Sequence, residues 1–351
     1  MKAKNTLFKI LVPILSVLLA FVVGSVLILF VGKNPVEAFG YLLKGAFGSM
    51  NSVGETFVKA TPLIFTGLAA TFAYRCGVFN LGGEGQFIMG AVVSVWFATT
   101  FQQLSGPITI VASLILGTVA GGIWGAIPGL LKAYRGLNEM IVSILLNYVA
   151  TLFMSFLFTG PLMEANMPQT AAVSARLPKI LPPTRIHLGT VIAVLVALIV
   201  YYYLFNTSKG FQLRAVGYNK TAAHVNGFKV NKIMIMAFIM SGAIAGLGGS
   251  VELHGVSYRL MSGFALGFGF DGVAIALIGQ LNPIGTVLVA YFFAVLRAGA
   301  NTMQAGSGIP TAVVDIIQAL VIIFAVSGAA LANLPKIKAF LGKTKLAKKE
   351  A

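Results

Sequence analysis

Apolar residues run through this chain in long uncharged stretches separated by short polar connections. The first, Ile10 to Gly32, holds 23 residues without a charge. About 20 apolar residues wound into a helix match the hydrocarbon thickness of a bilayer. Ten such spans are expected, near residues 9–32, 58–75, 86–104, 108–132, 138–160, 188–205, 231–251, 265–280, 284–299 and 311–331. Those at 58–75 and 265–280 are short and must be half-buried, broken or packed inside other helices. The pattern predicts an all-α polytopic membrane protein, one transmembrane domain throughout. Along it lie a first span and loop (1–57), a first half (58–160), a segment of loop, sixth span and basic loop (161–230), a second half (231–331) and a basic tail (332–351). The first run exceeds a signal-peptide core and lacks a small-x-small cleavage site, so it is expected to be retained.

Composition agrees. Hydrophobic residues make up 58% of the chain and charged residues 10%, where soluble domains carry about 25% charge. The 25 Lys and Arg against 9 acids give a net charge of +16. In a soluble protein that excess would suggest nucleic acid. Here the cations stand at the ends of apolar runs, as orientation signals and contacts to anionic lipid, so the bilayer and no nucleic acid is the expected partner. With the N-terminus inside, 17 of the 25 cations fall on inside segments, and both termini are expected to be cytoplasmic.

Chemistry-bearing residues are few. Cys76 is the single cysteine and can form no internal disulfide. His187, His224 and His254 are scattered over loops and are expected to be solvated. No metal-binding or nucleophile motif occurs, so no catalytic residue, no metal and no cofactor of this chain's own is expected.

Gly117, Gly121, Gly125 and Gly129 fall on one face of the fourth span, and Gly242 and Gly246 repeat the spacing in the seventh. Missing side chains let another helix backbone approach closely. Glycine-rich turns (Gly77 to Gly85, and Gly263 to Gly272) each lead into a span; the half that holds the first begins outside and the half that holds the second begins inside, which suggests two inverted halves around a transport pathway. General glycine enrichment of membrane helices accounts for the same pattern.

Phe79-Asn80-Leu81-Gly82-Gly83-Glu84-Gly85-Gln86 sets a carboxylate between two amides. A carboxylate at mid-membrane costs about 2.5–3.5 kcal/mol. Asn80, Glu84 and Gln86 are therefore candidates for a substrate pathway, with Asp271 in the corresponding place of the second half. The other reading is a helix cap, in which Asn80 or Glu84 satisfies free backbone N–H groups. Phe79 and Phe270 are candidate stacking surfaces, or else pack against lipid and helices. Gly267 to Gly272 matches G-x-G-x-x-G but follows no strand, which excludes a dinucleotide site.

The inside loop, about 206–230, is basic. Within it a short helix is expected from about Asn219 to Asn226, with Asn219 as N-cap and Gly227 ending it. Lys220-Thr221 resembles the end of a P-loop, but Arg214 and Asn219 occupy the two glycine positions, so this chain has no Walker A motif. The outside loop, about 161–187, carries five prolines and is not expected to be one helix.

Three motifs carry a resemblance: Phe79 to Gln86; Leu213-Arg-Ala-Val-Gly-Tyr-Asn219 with Ala222-Ala223; and Gly267-Phe-Gly-Phe-Asp-Gly-Val-Ala-Ile-Ala-Leu-Ile-Gly279. Together they resemble ABC importer permeases of the ribose and branched-chain amino-acid type, most like nucleoside permeases that work with a basic membrane lipoprotein. The resemblance implies a type II importer fold with inverted halves, in a bacterial plasma membrane. It implies a second homologous permease subunit, an extracellular substrate-binding lipoprotein and a cytoplasmic ABC ATPase, which uses ATP and Mg. It also makes Arg214, Ala215, Gly217, Asn219, Ala222 and Ala223 the segment that couples to the ATPase. The function implied is a pathway for nucleosides; the alternatives are a simple-sugar permease and an ion-coupled secondary transporter.

Overall fold

The computed structural model describes residues 2–265 and 267–331, with side chains described for 15–265 and 267–328. The basic tail, Lys336 to Lys349, lies outside the described residues. The helices in chain order are α1 (Lys2–Phe30), α2 (Pro35–Phe47), α3 (Met50–Arg75), α4 (Gly83–Thr100), α5 (Gly106–Arg135), α6 (Glu139–Thr159), α7 (Leu188–Asn206), α8 (Ser208–Tyr218), α9 (Lys220–Val225), α10 (Val230–Glu252), α11 (Phe268–Ile278), α12 (Pro283–Ser307) and α13 (Thr311–Leu331). A π-helical turn, Leu253–Ser257, prolongs α10, and a hairpin of β1 (Met163–Glu164) and β2 (Met167–Thr170) opens the proline-containing loop.

Among the described residues six helices are by themselves long and apolar enough to cross a membrane: α3, α5, α6, α7, α10 with its π-turn, and α12. The α1–α2 pair, bent by 116°, makes up to seven. The structure thus supports six or seven spans in place of the expected ten. The span expected at 265–280 shrinks to the 11 residues of α11, about 16 Å of helix. Its α4 counterpart has 18 residues and opens on Gly-Glu-Gly-Gln, so half of its first turn is polar. Helix ends follow local chemistry. Asn34 caps α2 through its side chain with Pro35 next, Asn138 caps α6, and left-handed Gly136 (φ +66°) closes α5.

Two compact units divide the chain, residues 1–52 with 295–351, and residues 53–294. In the described part of the first, α1 lies along α13, where Ser16 Oγ donates to the Phe324 carbonyl at 2.9 Å. Gly24 makes room there for Ile317, and Gly299 and Gly306 on α12 receive Leu42 and Tyr41 of α2.

The second unit is built around a layer of glycines. Gly117, Gly121 and Gly125 of α5 meet Gly242 and Gly246 of α10, and Gly90 of α4 meets Gly246, so that a side chain at most of these positions would strike backbone. The expected small-residue faces therefore pair with each other. Because helix association in lipid gains little from hydrophobicity, such close approach and a few internal hydrogen bonds carry the packing. Ser94 of α4 donates to Ser250 Oγ of α10 (2.7 Å) and to the Ser113 carbonyl of α5 (2.9 Å). Thr61 of α3 pairs with Thr190 of α7, and Thr71 with Thr286 of α12.

One end of this unit gathers Arg75, α8 and α9, and the Asn231–Ala133 contact between α10 and α5. The opposite end carries the loop of residues 160–187 laid on the π-turn. There the structure corrects the expectation of solvated histidines. His187 is 1% exposed and His254 0%; only His224 is exposed.

Candidate functional site

The motif from Phe79 to Gln86 fills the connection between α3 and α4 and is almost wholly enclosed. Asn80, Glu84 and Gln86 are all buried. Asn80 Nδ2 donates to Gln86 Oε1 (2.9 Å) and to Ser241 Oγ (2.8 Å), while its Oδ1 accepts from the Gly82 N–H (2.9 Å) and from Gln86 Nε2 (3.1 Å). Ser241 Oγ in turn donates a hydrogen bond to the Ala69 carbonyl of α3 at 2.7 Å. Asn147 of α6 accepts the Gly85 N–H at 2.8 Å and donates to the Leu81 carbonyl at 2.8 Å. Asn80 therefore ties α3, α4 and α10 together, and Asn147 adds α6. A buried amide network with its donors and acceptors paired fixes one arrangement of these helices.

Glu84 stands in the first turn of α4, yet it caps a different helix. Its carboxylate accepts the Gly267 N–H at 2.9 Å and the Gly269 N–H at 2.6 Å, the free donors at the start of α11. The two helix starts abut, since a Cβ on Gly83 would lie 3.5 Å from the Gly269 Cα. One acidic side chain thus stands at the N-terminal ends of two helices at once. Of the two readings open from sequence, the geometry is that of a cap, though of a partner 183 and 185 residues away. Asp271 lies half-buried in the first turn of α11, and Phe79 and Phe270 are 46% and 50% exposed. Phe79 meets Tyr74 edge-on with ring centroids 4.9 Å apart.

The basic loop folds into the helix pair α8–α9. Thr207 Oγ1 accepts the Gly210 N–H and Asn219 Oδ1 accepts the Ala222 N–H, capping the two helices. The expected short helix is present, from Lys220 to Val225, and left-handed Gly227 (φ +81°) follows it. Of the candidate coupling residues, Asn219 and Ala222 are exposed, Arg214, Ala215 and Gly217 are half-buried, and Ala223 is buried. Ala223 therefore packs largely inside this chain, at the wall of the cleft the pair encloses. Phe211, Tyr218 and Val225 are 58%, 81% and 80% exposed, and with Arg214, Asn219 and Ala222 most of them border a cleft of about 510 Å³. The Arg214 guanidinium sits 5.1 Å over the Phe205 ring.

Arg75 joins this segment to the rest, a role its place at a span end did not reveal. Its Nε donates to the Leu281 carbonyl at 2.7 Å and its Nη2 to the Gln280 carbonyl at 3.3 Å, in the turn that follows α11. Gln280 and Leu281 both hold positive φ (56° and 54°), an unfavourable backbone for side-chain-bearing residues. The Arg75 carbonyl in turn lies against Gly217 of α8, and a Cβ on left-handed Gly77 would come 3.1 Å from the Gly217 Cα. Only a residue without a side chain fits at Gly217. Beside them Cys76 is buried, which pushes its thiol up to about 12 against the opposing pull of Lys220. Among the described residues no group of three or more His, Cys, Asp or Glu is placed to hold a metal ion.

Residues 52–326, which include all of these positions, match the family model described as branched-chain amino acid transport system / permease component. The chain belongs to that family. This permease is 38% identical over 331 residues to the guanosine ABC transporter permease protein NupP of Bacillus subtilis, over 92% of this chain and 94% of that one. It is 34% identical over 349 residues to the nucleoside ABC transporter permease protein NupB of Lactococcus lactis, over 95% and 96%. It is 35% identical over 329 residues to the glucose ABC transporter permease protein TsgB13 of Haloferax volcanii, over 90% and 86%. The permease is a multi-pass membrane protein and a transport component rather than an enzyme.

Proposed function

We propose that this permease forms one half of the pathway of an ATP-driven importer of nucleosides. The observation that carries the reading is the 38% identity to a guanosine permease across nearly the full length of both chains. The structure contributes the means. The α8–α9 pair, with exposed Phe211, Tyr218 and Val225 beside Arg214, is the surface on which a cytoplasmic ABC ATPase docks. That end faces the cytoplasm, in keeping with the 17 cations on inside segments; a second, related permease completes the pathway, and an extracellular lipoprotein delivers the nucleoside at the other end.

Movement of the docked pair passes through the Gly217–Arg75 contact to the turn at Gln280 and Leu281 and so to α11. Helix α11 is too short to span alone and runs from its junction with α4 toward the Arg75 end, opposite in direction to α4, which supports inverted halves. The junction of α4 and α11 then borders the pathway. Asn80, Glu84 and Gln86 brace its wall, and half-buried Asp271 in the first turn of α11 is the carboxylate we assign to the pathway.

The 35% identity to a glucose permease favours a sugar as the second reading. Vesicles containing the permease, its sibling, the ATPase and the lipoprotein separate the two. ATP-dependent uptake of labelled guanosine, competed by other nucleosides and indifferent to glucose, is the expected result. Uptake competed by glucose and not by nucleosides sinks the nucleoside reading, and uptake without ATP sinks the importer.

A further inference from the structure

The loop of residues 170–187 is held to the end of α10 as a strap. The Thr170 N–H donates to the Leu260 carbonyl (2.9 Å), Val173 to Tyr258 (2.8 Å) and Leu177 to His254 (2.9 Å), an antiparallel course along the π-turn and the residues after it. Val173, Ala175 and Leu177 turn inward and are buried, while Ser174 and Arg176 are exposed. Strand-like alternation thus gives the strap one apolar face.

Two buried imidazoles fasten it. His187, at the strap's end, caps α7: its Nδ1 accepts the Gly189 N–H at 3.1 Å. Its ring lies against Gly255 of the π-turn, where a Cβ would come within 2.5 Å of the ring. His254 holds the middle, with Nδ1 2.7 Å from the Ala175 carbonyl. The tautomers follow from these partners. His254 must carry its proton on Nδ1, and neutral His187 must carry its proton on Nε2. Neither Nε2 has a hydrogen-bond partner among the described residues. The charged and titratable groups around His187 are Arg185 and Lys179 on the strap, His254 and Glu252 at the end of α10, and Glu55 of α3, which pairs with Arg185 at 3.4 Å.

We propose that His187 is a proton-released latch, whose neutral ring closes the strap over the end of α10 and whose protonation frees it. The incoming proton has one place to go, the Nδ1 lone pair that holds the Gly189 N–H. Two donors then face each other, the cap is lost, and a positive charge appears at the positive end of α7 beside Arg185. Burial first, and Arg185 second, hold the His187 pKa down to about 4. A group whose pKa is lower closed than open binds more protons when open. The latch is therefore fully closed above about pH 6.5 and weakens as the pH falls toward 4. The inference concerns the strap alone and stands whether or not the chain carries nucleosides.

Hydrogen exchange on the full chain in lipid nanodiscs, corrected for the intrinsic pH dependence of exchange, reads the latch directly. Between pH 6.5 and 4 the protection of peptides covering residues 171–189 should fall about tenfold per pH unit. His187→Asn keeps a cap acceptor but does not titrate, so its strap protection should fall less steeply than the parent's over that range, the remainder belonging to buried His254. His224→Asn, on an exposed histidine at the other end of the unit, should behave as the parent does. A parent strap whose protection does not change with pH overturns the proposal, as does an equal fall in His187→Asn. If His187→Asn does not fold, a fall in the parent confined to residues 171–189 supports the latch, and a fall spread over all helices counts against it.

Discussion

The Glu84 carboxylate accepts the backbone N–H of Gly269 at 2.6 Å across 185 residues of sequence. That bond, with its neighbour to Gly267, makes the start of α11 depend on a side chain from α4. Two helices that begin inside the second unit are thereby fixed end to end.

Replacing the carboxylate tests this junction. Glu84→Gln keeps one acceptor, loses the charge and turns an amide donor toward the N–H groups at the start of α11. A loss of about 1–3 kcal/mol is expected for a buried donor left unpaired. It should appear as a lower thermal unfolding midpoint in detergent, and an unchanged midpoint contradicts the cap.

The glycine layer makes a contrast available within one helix. Gly121 of α5 has α10 backbone where a Cβ would go, whereas Gly106, at the start of the same helix, has nothing within 4 Å. Gly121→Ala should destabilise the folded permease by about 1–3 kcal/mol through overpacking. Gly106→Ala should leave it unchanged or slightly more stable. Paired melting curves decide the matter.

At the docking surface, burial selects the informative position. A bulky residue at Ala223 would disrupt the α8–α9 pair itself, because that side chain is 4% exposed. Ala222 is exposed and borders the cleft. Ala222→Arg should leave the melting midpoint in place while abolishing co-purification of the ATPase and ATP-driven uptake.

Cys76 offers a reporter of folding. Burial and a thiol pKa pushed up to about 12 leave almost no accessible thiolate at neutral pH. Maleimide should not modify the folded permease at pH 7.5 over minutes, and should modify it fully in detergent denaturant. Fast modification of the folded chain would contradict the packing of Cys76.

The sequence was legible where one signal suffices. Apolar runs located the membrane helices, Asn219 and Gly227 bounded the short helix α9, and the four-residue glycine spacing marked the close-packed faces. What the faces pack against was not legible, since spacing carries no partner; Gly121 meets Gly242 and Gly246 only in the fold. The cap at Glu84 was visible as an option, but its recipient lies far along the chain. The span count was less legible: the stretch expected at 265–280 is too short to cross alone, and α11 keeps 11 residues of it. His187 and His254 were misjudged because a single imidazole in a polar-looking segment has no periodic signature. Only the antiparallel course of 170–177 along the π-turn brings His187 and His254 under cover.

Sidedness of the α8–α9 pair tests the central claim most directly. A Cys76→Ala, Ala222→Cys permease, exposed to a membrane-impermeant maleimide, should label in inside-out vesicles, lose that labelling when the ATPase is bound, and resist it in right-side-out vesicles. Labelling from the external side would contradict the account.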